Sequence, residues 1–195
     1  MNPISADQIT SLQLDKTIEW HKTAPAISTE ALLGFIEDNH RNNFLLWHEE
    51  DKARRDDMGA DYVYQAKRNI DGYNQARNDC MERIDEWLFH HLQPKQDDCP
   101  VHSETPGMTI DRLSILTLKE YHMRKQTQRD DVPEEHRMAC LAKLDVILQQ
   151  KQQLSSCLQA LLDEIKQQTR TFRVYHQFKM YNDPQLNPQL YENNA

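Results

Sequence analysis

The sequence predicts an all-α protein, a helical bundle of about five helices with one long loop and an aromatic C-terminal tail. Twenty leucines stand against five valines, and β-branched residues are the ones that sheets favour. Only 4 Gly and 8 Pro interrupt the 195 residues, so few loops are expected. Apolar residues also recur at spacings of three and four, the helical period. We therefore predict one domain over 1–195, with core helices over 28–169 and a packed tail over 170–195, since this length suits a single core.

The first three helices are predicted from apolar spacing and from residues that begin and end helices. The first covers about 6–21. The second begins after Ser28, whose hydroxyl is expected to cap the first backbone amides, and continues to about Arg55. Gly59 then interrupts the chain, and a third, long helix follows over about 61–92.

The rest of the chain predicts two more helices and the tail. A loop over 93–108 contains three prolines, and Thr109 is expected to cap a fourth helix over about 110–128. Pro133 suits the first turn of a fifth helix, because an N–H has no helical partner there. Leucine spacing extends that helix beyond about thirty residues. The tail is rich in aromatic residues and is expected to pack across the bundle.

Charge, hydropathy and cysteine usage exclude several classes of protein. The formal net charge of −8 argues against nucleic-acid binding, which favours a basic surface. No run approaches 18 apolar residues, so no membrane span is predicted, and the N-terminus shows no signal-peptide pattern. Cys80, Cys140 and Cys157 are expected to be reduced thiols at or near the core, which predicts a cytoplasmic protein.

The second predicted helix carries charge where its apolar face should continue. Its apolar line reaches Trp47 and then runs, at helical spacing, into Asp51 and Arg54 or Arg55. His48 lies three residues before Asp51, so the two share a face and form a candidate acid–base pair. If these groups are buried, they must be paired, solvated in a cavity or matched by a ligand, because unpaired burial is costly. Alternatively, the helix leaves the body at this point and the groups are solvated.

The third predicted helix carries a polar line beside its apolar one. Asp71, Asn74 and Asn78 lie on it, and Asn is a poor helix-interior residue. Amide side chains there suit hydrogen bonds to a hydroxyl-rich ligand, although an exposed face would also explain them. Arg77 falls in the apolar stripe itself and is expected to pair with a carboxylate from another helix.

The fourth predicted helix places Asp111 and His122 on one face, with Arg112 adjacent. Capping of the helix dipole alone would also explain Asp111. The complete candidate site combines the catalytic pair His48 and Asp51 with a binding set of Arg54, Arg55, Asp71, Asn74, Arg77, Asn78, Asp111, Arg112 and His122.

Metal binding is signalled only weakly by the sequence. Cys99 and His102 have a spacing seen in zinc sites, but a second closely spaced pair of ligands is missing. We therefore predict no metal site and no cofactor.

One acidic pattern supports a magnesium-dependent alternative. Glu49 and Glu50, followed later by Glu82 and Asp85, resemble part of the pattern of the all-α nucleoside-triphosphate pyrophosphohydrolases. Ala53 stands where those enzymes have a further acid. The resemblance implies Mg²⁺ as the cofactor of this alternative.

Several longer motifs occur together along the chain. They include Trp-His-Glu-Glu-Asp-Lys-Ala-Arg over 47–54, Ile-Asp-Arg-Leu-Ser-Ile-Leu over 110–116 and Lys-Met-Tyr-Asn-Asp-Pro over 179–184. Together they resemble a bacterial family known only as a domain of unknown function, and the similarity covers nearly the whole chain. The resemblance implies that the protein is encoded near genes for glycosyltransferases and for other proteins of cell-envelope glycan synthesis. It assigns no reaction and no catalytic residue.

The candidate residues predict a polar pocket between the second, third and fourth helices. Arginine binds phosphate in a bidentate manner and asparagine binds hydroxyls, so the expected partner is a small anionic sugar-type ligand, such as a sugar phosphate or a nucleotide sugar. Two alternatives stay open. One is a non-catalytic helical module, as a homodimer, that assists a glycosyltransferase, and the other is the magnesium-dependent pyrophosphohydrolase.

Overall fold

The computed structural model describes residues 4–178 and 180–191. Its helices are α1 (Ala6–Trp20), α2 (Ala31–Lys52), α3 (Ala60–Leu92), α4 (Pro106–Thr127), α5 (Glu134–Lys166) and the short α6 (Pro188–Tyr191), with 3-10 turns at Asp56–Met58 and Met180–Asn182. Within these ranges there is no β-strand, and one isolated β-bridge joins Val101 to Thr171. The predicted all-α class is confirmed.

The predicted caps of α2 and α4 are wrong. Ser28 does not cap α2, because its N–H and its hydroxyl both donate to the buried carboxylate of Glu37. That carboxylate also pairs with Lys16 at 3.1 Å. Helix α4 begins one turn earlier than predicted, since Thr105 caps it by accepting from the N–H of Met108 at 3.1 Å.

The main core lies where α1, α2, α3, α4 and α5 meet, with α2 packed most extensively on α3 and α4 on α5. Its fully buried side chains include Ile9, Ile36, Ile84, Leu113, Leu162 and Phe172. Phe172 fixes the start of the tail in the core, whereas Phe178 is 83% exposed. Cys80 and Cys140 are buried as predicted, but Cys157 is exposed.

A second, smaller core lies further along α1, α2 and α4. It contains Trp20, Phe44 and Leu118, with Leu45 and Trp47 packed against it. Because each of these helices contributes to both cores, polar residues between the two cores must find partners inside the bundle.

Candidate functional site

A buried carboxylate lies at the centre of the bundle. Asp111 is 3% exposed and binds the guanidinium of Arg77 through Nη2 at 2.7 Å and Nε at 3.2 Å. It also accepts from the amides of Asn39 at 3.0 Å and Asn43 at 2.8 Å. The expectation that Arg77 pairs with a carboxylate of another helix is confirmed.

The hydrogen bonds continue from Asn43 through Ser114 to a fully buried histidine, His40. Asn43 donates to Ser114 Oγ at 3.1 Å, and His40 lies between Ser114 Oγ and Thr17 Oγ1 at 2.7 and 2.8 Å. Thr17 donates its proton to the carbonyl of Gln13, so its oxygen accepts from His40 Nε2–H and Ser114 donates to Nδ1. Burial lowers the pKa of His40 to about 3, which keeps the ring neutral.

We call the chain formed by Arg77, Asp111, Asn39, Asn43, Ser114, His40 and Thr17 the polar network. Its members lie on α1, α2, α3 and α4, and each contributes at least one hydrogen bond to it. A buried network satisfied in this way fixes how the helices are rotated against one another. Its role is therefore structural.

Three histidines meet along the same helices, beyond the polar network. We call them the histidine cluster: His21 follows the end of α1, His48 lies on α2 and His122 on α4. One nitrogen from each lies within 4.8 Å of the other two. The Nδ1 atom of His21 lies 2.7 Å from the carbonyl of Thr17. In contrast, the buried Nε2 atom of His122 has no hydrogen-bond partner among the described residues.

Aromatic side chains fix the rings of the histidine cluster. His122 stacks on Trp47, with ring centroids 4.7 Å apart and planes 4° from parallel. Phe44 packs edge-on against His48 at 4.6 Å, and Tyr121 lies 4.1 Å from His21. Burial, reinforced by the neighbouring histidines, lowers the pKa of His122 to about 4, and burial also lowers the pKa of His48.

A groove of about 740 Å³ lies between α3 and the C-terminal tail, and we call it the tail groove. It is lined by Asp71, Asn74, Asn78, His176, Gln177, Phe178 and Asn182. The tail is held beside α3 by Glu82, which accepts from the N–H of Gln177 at 2.6 Å and lies 3.0 Å from His176 Nδ1.

The eleven sequence-predicted residues do not line one pocket between α2, α3 and α4. His48 and His122 belong to the histidine cluster, Arg77 and Asp111 to the polar network, and Asp71, Asn74 and Asn78 to the tail groove. Asp51, Arg54, Arg55 and Arg112 are exposed.

The exposure of these residues has a simple physical cause. Helix α2 ends at Lys52, so Arg54 and Arg55 lie beyond it and do not continue its buried face. Arg54 pairs with Glu50 at 2.6 Å, Arg55 with Asp57 at 2.7 Å, and Arg112 with Glu104 at 2.7 Å. Asp51 makes no hydrogen bond to His48 in the described part of the chain.

The four carboxylates of the magnesium alternative do not converge. Glu49 binds the amide of Asn69 on α3 at 3.2 Å. Glu82 lies thirteen residues further along that helix, which is about 20 Å at 1.5 Å per residue. Asp85 is buried and accepts from the N–H of Gly107, and burial raises its pKa to about 7.

Sequence reasoning missed Asn39, His40, Asn43 and His21. The first three had a signal, because they follow Ile36 at spacings of three, four and seven and thus lie on the buried face of α2. His21 had none, since it lies just after α1 in a turn and meets its partners only in the folded chain.

The fold and its sites define an all-α protein with a polar interior, a histidine cluster and a groove against its tail. A family model described as a protein of unknown function (DUF4254) matches residues 34–174, and the chain belongs to that family. No curated protein and no solved structure matches it. Among the described helices, none is long and apolar enough to cross a membrane.

Proposed function

We propose that the protein binds an anionic sugar-type ligand, such as a sugar phosphate or a nucleotide sugar, with the sugar in the tail groove. One observation carries this proposal. The groove sets the polar side chains of one α3 face opposite the exposed ring of Phe178. Ligands of this class are those of cell-envelope glycan synthesis, the process that the resemblance implies.

The groove side chains suit the two chemical faces of a sugar. Asn74 and Asn78 lie one helical turn apart, and each amide offers donors and an acceptor to neighbouring hydroxyl groups. Phe178 offers an apolar ring on which the C–H face of a sugar can pack. In small-ligand sites, a few polar groups beside an aromatic side chain fix the orientation of the ligand.

Two guanidinium groups lie at the margin of the groove. Arg77 uses Nη2 and Nε for Asp111, while its Nη1 lies 3.5 Å from Asn74 Oδ1. Arg68 pairs with Asp71 at 3.2 Å, and both side chains are exposed. Guanidinium groups bind phosphate well. Because Arg77 is already engaged by Asp111 in the polar network, Arg68 is our candidate for the anionic part of the ligand.

The experiment is isothermal titration of purified protein with nucleotide sugars, sugar phosphates and nucleotides, with and without Mg²⁺ or Mn²⁺. For the ligand that binds, Asn78→Ala and Phe178→Ala should each weaken affinity about 10-fold, the loss expected for one good contact. The controls are Gln75→Ala on α3 and Tyr175→Ala in the tail, neither of which lines the groove. Failure of the whole panel to bind, or equal losses in the controls, would contradict the proposal.

A second candidate is the non-catalytic helical module. The closed Arg77–Asp111 pair favours it, because residues predicted to receive a ligand are used inside the fold. Helix α5 also exposes Met138, Leu141 and Val146, a face that suits a second copy of the chain. Sedimentation analysis decides this: a dimer that Leu141→Glu dissociates supports the module, and a monomer at all concentrations contradicts the dimer. A catalytic pair of His48 and Asp51 stays a prediction.

A further inference from the structure

The histidine cluster has no part in the sugar-binding proposal, because none of its members lines the tail groove. α2, α4 and the residue after α1 each supply one imidazole, and one nitrogen of each lies within 4.8 Å of the others. In the described part of the chain, no other group of three histidine, cysteine or acidic side chains meets that criterion. Convergence of three identical ring types from distant positions calls for a chemical explanation.

The hydrogen bond of His21 orients its ring for metal binding. Its Nδ1 lies 2.7 Å from the carbonyl oxygen of Thr17. A carbonyl only accepts, so Nδ1 carries the proton and the Nε2 lone pair stays available. Metal-binding histidines very commonly donate their second N–H to a carbonyl or carboxylate in this way.

His122 has a ring nitrogen that is buried without a partner. Its Nε2 is buried and has no hydrogen-bond partner among the described residues. Buried polar atoms in folded proteins nearly always have partners, and an exception requires an explanation such as an ion or a water. His40, two turns earlier on α2 than His48, shows the ordinary outcome, with both ring nitrogens bonded.

Aromatic side chains hold two of the three imidazole rings in place. Trp47 stacks on His122 and Phe44 packs edge-on against His48, so these rings are positioned before any ligand arrives. Pre-positioned side chains lose little conformational freedom on binding, which favours affinity.

We propose that His21, His48 and His122 bind one first-row transition-metal dication, with Zn²⁺ as the ion to test first. Neutral imidazole suits Zn²⁺, Cu²⁺ and Ni²⁺, whereas Mg²⁺ and Ca²⁺ prefer oxygen ligands. Bonds of about 2.1 Å in a tetrahedral site place the nitrogens about 3.4 Å apart, so nitrogens that lie within 4.8 Å of one another must approach by at most about 1.4 Å. Three protein ligands leave a fourth position open to water or to another ligand.

The test is Zn²⁺ titration of untagged, chelator-treated protein in competition with a chromophoric chelator. The wild-type chain should bind one Zn²⁺. His21→Gln, His48→Gln and His122→Gln should each weaken binding by more than about 100-fold, beyond the loss that outer-sphere changes cause. His90→Gln is the matched control, because His90 is exposed near the end of α3 and lies outside the cluster. Mg²⁺ in excess should not compete.

Two further measurements use the wild-type protein, so they test the proposal even if a histidine variant fails to fold. With Co²⁺, the wild-type protein should show the strong visible absorption of a tetrahedral site. In NMR spectra, Zn²⁺ should shift the ring resonances of His21, His48 and His122 and leave those of His90 unchanged. Zinc binding no tighter in wild type than in the three variants, or shifts at His90 instead of the cluster, would overturn the proposal.

Discussion

The polar network and the histidine cluster lie next to each other on the same helices, yet they treat their polar atoms differently. In the network, His40 donates to one hydroxyl and accepts from another. In the cluster, His122 leaves a buried nitrogen without a partner among the described residues. Both regions draw on α1, α2 and α4 and pack their rings against aromatic side chains, but His40 is fully buried and fully bonded, whereas His122 is only partly buried and has an unpartnered nitrogen. Completed bonding is typical of a structural role, and the unpartnered nitrogen of His122 supports the metal site proposed above.

The largest expected loss of stability comes from breaking the polar network. Arg77→Ala removes the charge partner of buried Asp111 and should lower the free energy of unfolding by about 3–5 kcal/mol, the usual result of leaving one buried charge unpaired. Denaturation with urea measures this loss. Arg112→Ala is the control, since it breaks an exposed pair with Glu104 and should cost no more than about 1 kcal/mol.

A double variant checks the reason for that loss. Arg77→Met combined with Asp111→Asn removes both charges while keeping an acceptor for the amide of Asn43. It should recover at least half of the stability lost in Arg77→Ala, because no unpaired charge remains. A double variant as unstable as Arg77→Ala would show that the charge of Asp111 is not the cause.

The next largest effect is the difference in stability loss between substitutions of one histidine from each region. His40→Phe should lower the free energy of unfolding by about 3 kcal/mol, because it removes the donor to Thr17 and the acceptor for the Ser114 hydroxyl and overfills a closed site. His122→Phe keeps a ring on Trp47 and removes an unpaired nitrogen, so its change should stay within about 1 kcal/mol. Both are measured by urea denaturation in the presence of a chelator. Equal losses would contradict the distinction between the two regions.

The helices could be predicted from sequence far better than the sites. Gly59 and the apolar spacing placed α3 within one residue of its observed start, because both signals are local. The start of α4 was missed by a turn because Pro106 reads equally well as a loop residue or a first helical residue. Arg77 was recognised because one charge in an apolar stripe requires a partner.

The contacts between polar residues of different helices could not be predicted from the sequence in the same way. Which side chains meet depends on how α1, α2 and α4 are rotated against one another, and no local spacing records that rotation. Asp71 and Asn78 were recognised as a polar face of α3, but the tail that faces them lies about a hundred residues later. Such contacts depend on the packing of the whole bundle. That packing is specified by many residues together and not by any local pattern.

The smallest expected effect is the pH dependence of stability that comes from two buried groups. Their pKa values are shifted in opposite directions. Burial lowers the pKa of His40 to about 3, against about 6.5 when unfolded. The unfolded chain therefore binds more protons there between pH 3 and 6.5, and stability from this group is lost as the pH falls. Burial raises the pKa of Asp85 to about 7, against about 3.9 when unfolded, so its contribution falls as the pH rises.

These two contributions oppose each other between about pH 4 and 6.5, and single variants separate them. His40→Gln should make the slope of unfolding free energy against pH more negative, by up to about 1.4 kcal/mol per pH unit, and Asp85→Asn should make it more positive by a similar amount. Urea denaturation at pH 4.5, 5.5 and 6.5 measures both slopes. Because slopes are compared, the constant cost of each substitution cancels. An unchanged slope in His40→Gln would mean that His40 titrates alike in the folded and unfolded chain, which contradicts its place as a neutral bridge between Ser114 and Thr17.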